Sequence, residues 1–76
     1  MYMWEVDKMI CFDKLWETMR QKEITTYKLI KYHNFSPSQI QRLKRNQCVS
    51  TYTLNRLCNI LTCDIKDIAQ YREDEL

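Results

Sequence analysis

The chain contains no glycine and one proline, Pro37, so glycine-dependent phosphate-cradling loops are excluded at once. No apolar run approaches the roughly 18 residues that a membrane span requires. Histidine occurs once, as His33, and no serine or cysteine can be placed beside it from sequence, leaving a nucleophile-base pair unsupported. Close cysteine pairs are also missing. Among Cys11, Cys48, Cys58 and Cys63 the nearest pair, Cys58 and Cys63, is separated by four residues with no second pair nearby, a spacing that predicts no metal site. Glu5 and Asp7 stand where a secretory signal would carry lysines. The expected compartment is therefore the cytoplasm, where disulfides are not expected and Cys58 reads as a small buried hydrophobe.

What is present is a short folded unit. Seventy-six residues, 45% hydrophobic and 29% charged, match one globular domain rather than a disordered tail. A chain of this size buries only about 60 to 65% of its unfolded surface, which leaves little room for an enclosed catalytic cleft. A binding module is favoured over an enzyme, and no cofactor is expected.

The net charge of +2 conceals segregation. Residues 20–45 hold Arg20, Lys22, Lys28, Lys31, Arg42, Lys44 and Arg45 against Glu23 alone, whereas acids outnumber bases on both flanks. A cationic face between anionic ones is the footprint of a protein that docks a polyanion on one side. Solvated helix faces would produce a similar composition, so charge does not decide the matter.

Periodicity predicts helices. Phe12, Leu15, Trp16 and Met19 share one helical face, and Leu54, Leu57, Cys58 and Leu61 repeat the template. Two shorter helices, Tyr27 to His33 and Pro37 to Arg45, turn Leu29 and Ile30, then Ile40 and Leu43, inward. A last turn or two from Ile65 to about Tyr71 would bury Ile65, Ile68 and Ala69. Thr25, Ser50 and Asp64 are natural N-caps, and Ser36-Pro37-Ser38-Gln39 reads as a capping box with proline at the first helical position. Asn34 and Asn46 can adopt the left-handed turns that end the second and third helices. At the amino terminus Tyr2, Trp4, Val6, Ile10 and Phe12 alternate with Met3, Glu5, Asp7, Met9 and Cys11, with Lys8 breaking the pattern, which predicts a half-buried strand. It must pair with the segment around Gln70-Tyr71-Arg72 or with a second copy.

Two short helices joined by a tight turn, the second opening with small polar residues and ending in a basic cluster, form a helix-turn-helix. Its second helix meets base edges near its N-terminal end, where hydrogen-bonding side chains are needed and acids are harmful. The span from Ile24 to Asn46, with Asn34-Phe35-Ser36-Pro37 at its centre, and the segment Val49-Ser50-Thr51-Tyr52-Thr53-Leu54 running into Leu57-Cys58 resemble the Cro and phage-repressor type of regulator. The likeness covers residues 12 to about 71.

The resemblance implies an all-α, five-helix lambda-repressor-like domain at 12–71 with a recognition helix at about 37–45. A strand or arm at 1–11 and a frayed acidic tail at 72–76 would flank it. It implies base reading by Ser38 and Arg42 with Gln39 and Gln41 adjacent, and phosphate contacts from Thr26, Lys28, Lys44, Arg45, Asn46 and Thr51. Pro37 replaces a polar reader. The family's turn glycine is Asn34 here, and its small residue at the helix crossing is Ile30, expected to splay the two helices slightly. The implied function is a double-stranded DNA-binding transcriptional regulator, a repressor, acting as a homodimer without membrane or metal. The alternative is a protein-binding helix-turn-helix module, antitoxin-like or an adaptor, using the aromatic N-terminal segment.

Overall fold

The computed structural model describes residues 8–73. Strand β1 (Lys8–Cys11) is followed by helices α1 (Asp13–Gln21), α2 (Thr26–His33), α3 (Pro37–Lys44) and α4 (Thr51–Leu61), a 3₁₀ turn at Ile65–Asp67 and strand β2 (Gln70–Glu73). The aromatic residues Tyr2 and Trp4 of the expected strand lie outside the described residues. The strands pair antiparallel, with Met9 opposite Arg72, Ile10 opposite Tyr71 and Cys11 opposite Gln70.

Among the described residues the five-helix expectation is corrected to four α-helices plus one 3₁₀ turn. The last helical segment stops at Asp67 because the backbone of β1 needs a partner, and residues 70–73 supply it. Arg72, expected both as a strand partner and at the start of a frayed tail, is a strand residue, as is Glu73, expected only in the tail; Arg72 Nη1 also donates to Asp13 Oδ2 at 2.7 Å. Ile65, expected inside, is exposed, while Ile68 is fully buried.

Phe12, Leu15, Met19, Leu29, Phe35, Ile40, Leu43, Leu57, Leu61 and Ile68 form the core, with Trp16, Leu54 and Cys58 packed against it half-buried. Thr18, buried on α1, donates its hydroxyl to the Asp67 carbonyl at 2.8 Å and ties that helix to the 3₁₀ turn. Ile30 is 38% exposed, so it reaches the surface rather than filling the contact under α2; the inward residue there is Leu29.

Every α-helix ends on a left-handed residue: Glu23 (φ 58°), Asn34 (φ 60°), Asn46 (φ 55°) and Thr62 (φ 52°). These turns satisfy the carbonyls that a helix terminus leaves open. Ile24 N–H bonds the Met19 carbonyl at 2.9 Å, Gln47 N–H that of Arg42 at 2.8 Å, and Cys63 N–H that of Cys58 at 3.1 Å. Asn tolerates the conformation well, but the β-branched Thr62 carries a steric cost of about 1–2 kcal/mol. Part of that cost is recovered on substitution, since glycine gains more freedom when unfolded. Thr62→Gly is expected to stabilise the fold by about 1 kcal/mol, raising the thermal midpoint by roughly 4–8 °C; a circular-dichroism melt showing a lower midpoint would contradict this.

Candidate nucleic-acid interface

Three helices open on hydroxyl caps. Thr25 Oγ1 accepts from Lys28 N–H at 3.1 Å, Ser36 Oγ from Gln39 N–H at 3.2 Å and Ser50 Oγ from Thr53 N–H at 3.1 Å. None of the three has an acid in its first turn, whereas α1 carries Asp13 there. An acid would stabilise a helix N-terminus, so its absence leaves the amide ends of α2, α3 and α4 electropositive and open to an external anion. No acid occurs between Glu23 and Asp64 in the whole sequence.

The turn between α2 and α3 is held from α4. Asn34 reverses the chain, and Phe35, 2% exposed, plugs into the core. The Arg56 guanidinium lies 4.5 Å from the Phe35 ring centroid and donates to the His33 carbonyl. Sequence reading did not single out Arg56. Its only signal is a base on the half-buried side of an apolar helix.

With Ile40 and Leu43 buried, Pro37, Ser38, Gln41, Arg42, Lys44 and Arg45 remain exposed on α3. Among the described residues no side chain pairs with Arg42, Lys44 or Arg45. Ser38 Oγ lies 3.1 Å from Ser36 Oγ, at the helix's open end. Thr26 and Thr51 occupy the first positions of α2 and α4, and Tyr52, an exposed ring beside Thr51, was not anticipated. Lys28 Nζ is anchored on the Glu23 carbonyl at 3.1 Å, which holds its charge at the start of α2.

Two of the expected contact residues have other work. Gln39 is half-buried. Its Oε1 accepts from Ser36 N–H at 3.2 Å and its Nε2 donates to Thr53 Oγ1 at 3.3 Å, so both ends of the amide close the capping box and join the first turns of α3 and α4. The geometry does not support a base-reading role for it. Asn46 Oδ1 accepts from Phe12 N–H at 2.8 Å, clipping the loop after α3 to the end of β1; that oxygen serves the fold, not a phosphate. The capping box was readable from the Ser36–Gln39 spacing, but the bonds to Thr53 and Phe12 were not, because those partners lie 14 and 34 residues away.

This arrangement matches a known domain. The Cro/C1-type HTH DNA-binding domain aligns with residues 14–74. The chain belongs to that family. Among solved structures, the transcriptional regulator VanUg shares the fold with a TM-score of 0.79 at 23% identity, over 97% of this chain and 99% of that one. A search of curated proteins finds no match. The Cro/C1-type chain is thus a helix-turn-helix DNA-binding domain in which α2 and α3 form the motif. Among the described residues no helix is long and apolar enough to cross a membrane, and no three metal-ligating side chains gather.

Because Gln39 serves the fold, Gln39→Ala is expected to cost about 1 kcal/mol of stability through the lost cap partner while leaving base preference unchanged. A melt combined with binding-site selection checks both halves. Altered preference at one base pair with an unchanged melt would restore Gln39 as a reader.

Proposed function

We propose that the chain is a sequence-specific transcriptional regulator, a repressor that blocks its promoter by occupying an operator with α3 in the major groove. The observation that carries this reading is the outward face of α3. Ser38, Gln41 and Arg42 stand on its exposed side, and among the described residues no internal partner consumes the guanidinium, which lies on a helix without acids. Arg42 can grip a guanine edge with two hydrogen bonds, a contact worth about 1–3 kcal/mol of discrimination. Ser38, nearest the helix start, supplies a short donor and acceptor, and Gln41 flanks them. Lys28, Lys44 and Arg45, with the amide ends at Thr26 and Thr51 and the side-chain NH2 of Asn46, bind phosphates without regard to sequence.

A homodimer would place two such helices about 34–36 Å apart, on successive turns of the duplex. The two-stranded sheet offers the contact. Ile10 and Tyr71 face each other across the strands, hence lie on one side, and are 49% and 60% exposed. Paired substitution Ile10→Glu with Tyr71→Glu is expected to yield a monomer in sedimentation velocity and to weaken binding to a two-half-site duplex. An unchanged dimer would remove the sheet from the interface.

Selection of sites from random duplexes tests the reading. Arg42→Ala is expected to relax one base position, at about 1–3 kcal/mol. Lys44→Ala is expected to weaken all sequences alike and to flatten the log-log salt slope by about 0.9. Identical behaviour of both variants would contradict the division between readers and phosphate contacts. Salt-insensitive binding to a protein, without a DNA footprint, would favour the antitoxin-like or adaptor alternative.

A further inference from the structure

We propose that Cys58 and Cys63 form a local dithiol site that closes to an intramolecular disulfide on reaction with a low-molecular-weight disulfide. Five residues along an unbroken α-helix would place the two side chains about 140° apart. The left-handed Thr62 removes that separation. Its N–H and that of Cys63 both bond the Cys58 carbonyl, which makes Cys58 and Cys63 the third-from-last and second-following positions of the helix end, the pair whose side chains such a turn brings into contact. That contact is usually hydrophobic; here both of its positions are cysteines. Both are half-buried, and they border an open depression shared with Asn59, Thr62, Asp64 and Ile65, so a small disulfide can reach them.

One thiolate attacks the small disulfide, breaking its S–S bond and releasing one small thiol. The second then attacks the mixed disulfide and releases the other. In total two protein S–H bonds are exchanged for one S–S bond, and one small disulfide becomes two thiols. Burial first, then Cys58 and Asp67, push the Cys63 thiol up, with Lys22 opposing; exchange therefore accelerates as pH rises. Cys11 is fully buried, and Cys48 is exposed in the loop after α3.

The reduced full chain is incubated with oxidised glutathione, quenched with acid and analysed by mass spectrometry with peptide mapping. The expected product loses two of the four titratable thiols, lacks two hydrogens, carries no glutathione and joins Cys58 to Cys63. In Cys58→Ser and in Cys63→Ser the remaining thiol is expected to retain glutathione instead. A wild-type product consisting of glutathione left on Cys58 or Cys63, or of Cys48-linked dimers with Cys58 and Cys63 reduced, would overturn the proposal. The wild-type map decides even where a variant fails to fold.

Discussion

The Arg56 guanidinium fixes the relation of α3 to α2. It covers the Phe35 ring and donates to the His33 carbonyl, one of the acceptors that the end of α2 leaves open. A charged hydrogen bond contributes about 1.5–3 kcal/mol, and a partly shielded cation over a ring about 0.5–2 kcal/mol. Both act from α4 on the two residues that flank Asn34. With the turn pinned, Ile40 and Leu43 point into the core and the other side of α3 is left for solvent or a ligand. Arg56 is therefore a cation of the scaffold, although by composition it belongs with the bases that surround it.

A second constraint is the lack of glycine. Four helix ends in a chain of this length need a left-handed residue, and the sequence supplies two asparagines, a glutamate and a threonine. The asparagines were legible, because Asn is the residue that tolerates this conformation best after glycine. Glu23 and Thr62 were not, since neither residue type marks a turn. The cost at Thr62 is local, but its geometric effect is to fold the chain back so that Cys63 N–H reaches the Cys58 carbonyl and both residues border one depression, a proximity that helical periodicity would deny.

The legible parts of the fold were those set by local chemistry. Hydroxyl caps at Thr25, Ser36 and Ser50, the capping box at Gln39 and the inward pair of α3, Ile40 and Leu43, all follow from nearest neighbours. The short strand was also legible, as was the choice of residues 70–72 as one of its two partners. Features set by distant contacts were hidden. The 3₁₀ turn gives way to β2 because β1, some sixty residues earlier, requires hydrogen bonds. Asn46 turns its oxygen to Phe12, 34 residues away. On α3, Arg42, Lys44 and Arg45 are exposed as expected, whereas Gln39, already marked by the capping-box spacing, is further drawn away from solvent by Thr53.

The acid-free span from Ile24 to Cys63 connects these observations to function. It forgoes the small stabilisation that carboxylates give helix starts, and among the described residues it leaves three amide ends and the exposed bases of α3 without internal counter-charges. A protein selected for stability alone would not need that arrangement. The most direct test is a titration of the ¹⁵N-labelled chain with a duplex obtained by site selection, followed by amide chemical shifts. The largest changes are expected at the first turns of α2, α3 and α4 and at Gln41 to Asn46, with α1 and the C-terminal end of α4 nearly unmoved. Changes concentrated on α1 or on the C-terminal end of α4, with α3 silent, would contradict the assignment of α3 as the helix that reads DNA.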